Sequence, residues 1–235
     1  MHFKPRKAAI FGAILLVIGG WATVAGRFDL IPSFLTLLAV ILAERKRWSW
    51  AFVALAVAFL LKLYPVILLI PFLLAQQMDI RARWYAWRRW QPFVLFIALC
   101  VLVMIGSFLL SVEDTIAPLS YFQTRPIQAE SFGSSVIWLS TFVQYHPMTF
   151  EFTYGSLNVV HLYSAFIGNT ETVLEVLGLG YVFWLQWRRK IDLAAATLLT
   201  LLVVIITGKV FSPQYLIWIV PLLAYVGGEN LLWLL

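Results

Sequence analysis

Charge is scarce in this chain. Asp, Glu, Lys and Arg make up 12% of its 235 residues, against 62% hydrophobic, where an ordinary soluble domain carries roughly 25% charged residues. Mean hydropathy is +0.89, so composition argues against a soluble globular domain. There is one cysteine, Cys100, inside an apolar run; an intrachain disulfide is therefore impossible, and redox compartment cannot be inferred. Acids are fewer than bases, 11 against 17. The bases stand in short clusters between apolar runs, which is the positive-inside pattern and not a nucleic-acid patch, so no nucleic-acid partner is expected. No D-x-D, Walker A, G-x-S-x-G or G-x-G-x-x-G motif occurs. His146 and His161 lie far apart in sequence without a carboxylate pattern, so no metal site is expected, and no cofactor is implied. No A-x-A-like cleavage site follows HFKPRK-AAIFGAILLVIGG, so this opening segment reads as a retained first helix.

What is abundant is long apolar runs, divided by basic clusters. The clusters are Lys4/Arg6/Lys7, Arg45/Lys46/Arg47, Arg81/Arg83/Arg88/Arg89 and Arg188/Arg189/Lys190, together 13 of the 17 Lys and Arg residues. All four face the cytoplasm in one topology. In it Ala8 to Ala25 runs outward and Leu30 to Ala43 returns. Ser49 to Ala75 is too short for two full spans, and reads as a hairpin of two short helices with its tip at Lys62-Leu-Tyr-Pro65. Pro92 to Val112 runs outward, a loop over 113–164 stays outside, and Thr172 to Trp187 returns. Leu193 to Thr207 goes out, Lys209 to Gln214 turns, and Tyr215 to Val226 comes back to the break at Gly227-Gly-Glu-Asn230. The expectation is an all-α, polytopic membrane helix bundle of seven or eight spans. It forms a single transmembrane domain over 1–235, with the N-terminus cytoplasmic and the plasma membrane as its location. Trp48, Trp50, Trp84, Trp87, Trp90, Trp184 and Trp187 gather at the expected interfaces.

Three polar groups then fall on the outer side. Lys62 lies at the hairpin tip beside Pro65. A cation inside lipid costs roughly 2.5–3.5 kcal/mol on insertion scales, so it is paired, functional or snorkelling; as a point charge it suits a phosphate. Lys209-Val-Phe-Ser-Pro-Gln-Tyr215 sets a cation, the Ser212 hydroxyl, the Gln214 amide and the Tyr215 phenol at a helix N-terminus, an anion-favouring place. The plainer reading is a capped turn, with Ser212 as N-cap and Pro213 at N1. In YFQTRPIQAES (Tyr121 to Ser131), Arg125 suits bidentate phosphate or carboxylate contact and Gln128 suits sugar hydroxyls, with Glu130 and Ser131 beside them. Otherwise it is a solvated loop with an internal Arg–Glu pair. Asp29, in FDLIPSF, reads as a helix N-terminal residue.

LKLYPVILLIP (Leu61 to Pro71), RPIQAES (Arg125 to Ser131) and FSPQYLIWIVPLLA (Phe211 to Ala224) resemble, in order and spacing, glycosyltransferase family 87 of the GT-C superfamily. RFDLIPSFLTLLAV (Arg27 to Val40) resembles the helix before that family's K-x-Y-P hairpin, which brings in Tyr64. The resemblance implies hexosyl or mannosyl transfer from a polyprenyl-phosphate sugar donor to a glycan or glycolipid acceptor, at the extracytoplasmic face of the lipid bilayer. It implies substrate contact at Lys62, Tyr64, Arg125, Gln128, Glu130, Ser131, Lys209, Ser212, Gln214 and Tyr215. It covers the later half to two-thirds of such a protein, so a missing N-terminal part is expected. GT-C enzymes carry a basic carboxylate in a first large outer loop; here the first outer connection is only Gly26 to Asp29, and no catalytic residue is assigned. Two other classes stay open. One is a transporter or flippase of lipid-linked sugars, weakened by the lack of an internal repeat. The other is a truncated, non-catalytic membrane subunit.

Overall fold

The computed structural model describes Ile10, Ile14 and residues 28–80, 82–117, 125–144 and 146–227. The first expected span, Ala8 to Ala25, lies outside the described residues except for Ile10 and Ile14, as do Tyr121 to Thr124 and Gly228 to Asn230. The described part is mostly helical and clusters into two compact units. The first comprises Met1–Val103, Val182–Leu201 and Gln214–Leu235; the second comprises Met104–Tyr181 and Leu202–Pro213.

Within the first unit, α1 (Leu30–Glu44) and α2 (Trp48–Leu61) form a hairpin. Alanines at the contact, Ala39, Ala43, Ala51 and Ala58, are almost fully buried; small residues let apolar helices approach closely. α1 ends in a Schellman motif, in which Arg47 N–H reaches the Leu42 carbonyl at 2.9 Å and Lys46 N–H that of Ala43 at 2.9 Å. Lys46 holds the left-handed position at φ 60°, where glycine is usual. The expected short-helix hairpin is present. α2 stops at Lys62, whose backbone is extended (φ −153°, ψ 138°). A 3-10 turn over Tyr64–Leu68 has Pro65 in its first turn, and α3 (Leu69–Asp79) descends from it. At 1.5 Å per residue, α2 is about 21 Å long and α3 about 17 Å, each short of a ~30 Å hydrocarbon core. The break falls at Lys62, two residues before the residue that Pro65 constrains. α8 (Leu216–Gly227) packs on α1, following a 3-10 turn at Pro213–Tyr215. The Ser33 hydroxyl donates to the Ile217 carbonyl at 2.8 Å, which ties α8 to α1 by a buried polar contact.

α4 (Trp87–Leu110) is the one helix among the described residues that is both long and apolar enough to cross a membrane, and 11% of its apolar window is buried. Leu102, Leu109 and Leu110 are 68–90% exposed on it. α6 (Ser164–Trp187) is as long, starting eight residues before the expected Thr172, and α7 (Leu193–Thr207) has the expected bounds.

In the second unit, 113–164 is more structured than a loop. It contains α5 (Phe132–Gln144) and a β-hairpin, β1 (Thr149–Thr153) with β2 (Ser156–Val160). Tyr154 and Gly155 both have positive φ, 55° and 68°, as a two-residue type I′ turn requires. The chain 127–129 covers β2's other edge: Val159 N–H donates to the Ile127 carbonyl at 2.8 Å, and Ala129 N–H to that of Leu157 at 2.9 Å. Ile127, Ile137 and Val159 form a small buried core beneath this layer. Among the described residues, this hairpin and the strand-like edge beside it depart from the all-helical expectation.

Candidate functional sites

Each unit carries a polar site of its own. In the first, Lys62 leaves the end of α2 and its ammonium lies 2.5 Å from Asp29 Oδ1, just before α1. Asp29 is 3% exposed. The same oxygen accepts the Trp218 indole N–H at 2.6 Å. Asp29 does occupy the N-cap position of α1, but its side chain caps nothing there. It is instead the counter-ion of the hairpin tip. A buried carboxylate needs such partners, because an unpaired ion in low dielectric costs several kcal/mol.

Around this pair is an aromatic stack. Tyr64 lies on Trp218 at 4.1 Å between ring centroids and 7° between planes, and Tyr215 lies on Trp218 at 4.2 Å and 23°. The Lys62 ammonium is 5.7 Å from the Trp218 centroid, within cation–π range. Thr36 Oγ1 and the Tyr64 hydroxyl are 3.4 Å apart. Gln214 joins this unit with a buried Oε1 lacking a hydrogen-bond partner. The structure thus brings Lys62, Tyr64 and Tyr215 together and adds Asp29 and Trp218. The sequence held two signals for the additions: Asp29 as the lone acid between the first two expected spans, and Trp218 as the one tryptophan of α8.

In the second unit, RPIQAES is a built corner. Arg125 donates from an Nη to Gln128 Oε1 at 3.3 Å and to Ser156 Oγ at 3.0 Å. Gln128 Nε2 donates to Glu130. Gln128 and Ser131 are buried, as is Asn158. Asn158 Nδ2 donates to the Thr153 carbonyl at 2.7 Å. The segment 125–131 is not helical, and Arg125, Gln128 and Glu130 share a network along a β-edge. Their amides and hydroxyls bond one another, which makes the segment a scaffold. Lys209 contributes its carbonyl, which accepts the Gln128 N–H at 2.9 Å. Lys209 and Ser212 belong to this unit, Gln214 and Tyr215 to the other, so the heptad 209–215 is divided between them.

A carboxylate that the motifs did not point to stands beside this corner. Glu171, on α6 before its apolar stretch, is 4% exposed. Its Oε1 accepts the Gly133 N–H at 2.7 Å, in the first turn of α5. Gly133 permits this approach; a Cβ there would sit 2.4 Å from Oε1. Burial pushes the Glu171 carboxyl above the usual carboxylate range, the Gly133 hydrogen bond partly opposes that, and the charge of Glu175 adds to it.

At the opposite ends of the first unit's helices, Lys46 pairs with Asp79 at 2.5 Å, and the Trp48 indole donates to Asp79 at 3.0 Å. Burial would raise the Asp79 carboxyl, but the hydrogen bonds from Lys46 and Trp48 and the Lys46 charge outweigh it and hold it below its ordinary value.

Apolar helices, a short broken hairpin and an ion-paired polar tip define a class: helical proteins built around apolar segments. A family model described as GPI transamidase subunit PIG-U matches residues 19–126, a region that takes in α1 to α4 and the hairpin tip. The match covers less than half of the chain, which is therefore similar to that family over this region. No curated protein matches, and no solved structure does. The likeness to glycosyltransferase family 87 rests on the quoted motifs alone.

Proposed function

We propose that this chain is a multi-pass membrane protein acting as a non-catalytic subunit of an assembly that handles a lipid-linked glycan. The observation that carries this reading is the match over residues 19–126 to a family described as a GPI transamidase subunit. The chemistry of the tip supports it. Lys62 already has a buried counter-ion in Asp29, and an ion pair with stacked rings on it positions a hairpin more readily than it reacts. The bare surface of α4 supports the membrane setting, because exposed apolar area of that extent needs lipid or protein cover. In this reading Lys62, Tyr64, Gln214 and Tyr215 in one unit, and Arg125, Glu130, Lys209 and Ser212 in the other, present polar surface to a glycolipid, while the buried Gln128 and Ser131 hold the second site's backbone in place. Purification in mild detergent should recover the chain in a stoichiometric complex, with activity in the complex and none in the isolated chain. An isolated chain that transfers mannose from labelled polyprenyl-phosphate-mannose would overturn the proposal.

A second reading, hexosyl or mannosyl transfer by the chain itself, is favoured by the order of LKLYPVILLIP, RPIQAES and FSPQYLIWIVPLLA along it. It requires transfer activity in the isolated chain that Lys62→Ala reduces while Lys62→Arg retains part of it. Equal activity in all three would remove Lys62 from that chemistry.

A further inference from the structure

The C-terminal end of α6 holds a feature that neither reading uses. Trp184, Trp187, Arg188, Arg189 and Lys190 line an open cavity of about 570 Å³. Its lining carries three consecutive cations, two indoles and no carboxylate. The cations are held on a defined turn: Lys190 N–H reaches the Leu185 carbonyl at 2.9 Å and Arg189 N–H that of Gln186 at 2.8 Å. This is a Schellman motif with Arg189 in the left-handed position at φ 56°, where glycine is the usual occupant. A cation stands where backbone geometry favours glycine, and such a departure points to a use for the side chain. The two indoles are 49% and 68% exposed, and the Arg188 guanidinium lies 5.9 Å from the Trp184 ring. Exposed indoles beside cations are the furniture of a membrane–water interface, whereas a site for free phosphate has no need of them.

We propose that this cavity binds the phosphodiester headgroup of an anionic phospholipid. Two guanidiniums and an ammonium oppose a phosphodiester's single negative charge with a surplus of positive charge, and guanidiniums also match it in hydrogen-bond geometry. Trp184 and Trp187 lie alongside the glycerol and upper acyl region. The inference needs only that the chain resides in a membrane; it holds whether the chain is a subunit or a transferase.

The test uses the full chain in zwitterionic detergent, with bound lipid counted by native mass spectrometry after titration with phosphatidylglycerol or phosphatidylcholine. The wild type should retain phosphatidylglycerol selectively. Arg189→Gly, which suits the turn, should fold at least as well and lose about five-fold in retention, the loss expected of one interfacial cation. Arg188→Gln/Lys190→Gln should lose more, while Arg83→Gln/Arg88→Gln, in another basic cluster, should change little. Equal retention of the two lipids, or undiminished retention in Arg189→Gly, overturns the proposal. Displacement of the lipid by inorganic phosphate at matched ionic strength overturns the assignment to a lipid. Failure of the chain to enter membranes would count against the membrane reading instead, and is measured separately by membrane fractionation.

Discussion

A single oxygen, Asp29 Oδ1, holds three elements at the hairpin tip, since it accepts from both Lys62 and Trp218. Removing the lysine strands a carboxylate that is 3% exposed. Lys62→Ala should therefore lower stability in detergent by about 2 kcal/mol, less than the 3–5 kcal/mol of a fully buried pair because the ammonium is part exposed. The double variant Asp29→Asn/Lys62→Met should recover part of that loss, which thermal melts of the wild type, Asp29→Asn, Lys62→Met and the double variant would show; melts that simply add would mean the pair is not coupled. Glu171 behaves in the opposite sense to Asp79. Its carboxyl is raised in the folded chain, so the folded state binds more protons than the unfolded one, and stability falls as pH rises through the folded value. The contribution is fully present below the ordinary carboxylate range. Melts at acid and neutral pH should show this slope in the wild type and a flatter one in Glu171→Gln, whose amide oxygen still accepts from Gly133. For Asp79 the carboxyl is lowered, so its pair with Lys46 stabilises at neutral pH and is lost only as pH falls below the ordinary carboxylate value. With Lys46 64% exposed, Lys46→Ala should cost less than ~1 kcal/mol at pH 7.

Elements were legible in the sequence where punctuation was strong. α1, α2, α3 and α7 were readable within a few residues, because basic clusters and the Lys62–Pro65 break bound them. RPIQAES was readable as polar and special, but its β-edge geometry was not. That geometry depends on pairing with β2, a partner some thirty residues later. The hairpin itself had a local signal, alternation in FEFT and LNVV around Tyr154-Gly155, overshadowed by the helical character of everything else. Glu171 was invisible because nothing in its own segment marks it; Gly133, on another element, makes the site. Helix packing yields a sharp contrast between two nearby glycines on α6. A Cβ on Gly178 would meet the Val203 side chain at 2.9 Å, whereas one on Gly180 meets nothing within 4 Å. Gly178→Leu should force α6 from α7 locally and destabilise by about 2 kcal/mol. Gly180→Ala should be neutral or mildly stabilising, since alanine is the better helix former. Equal effects on the melting temperature would mean that the close approach does not govern the packing.

At the scale of the whole chain, charge distribution makes the most general claim. Cations terminate α1 and α6 in the same backbone device, with Lys46 and Arg189 both left-handed. Both stand in clusters that the sequence assigns to one side of the membrane. An orientation set by such clusters resists change, because carrying an arginine or lysine across costs roughly 2.5–3.5 kcal/mol on insertion scales. Three cations together therefore dominate any contrary signal from the few acids. Cys100 is the only cysteine, so Cys100→Ala supplies a background for single-cysteine labelling. In intact cells, a membrane-impermeant maleimide should label Glu113→Cys and Tyr154→Cys without permeabilisation, and Lys190→Cys only after it. Labelling of Lys190→Cys in intact cells would invert the topology.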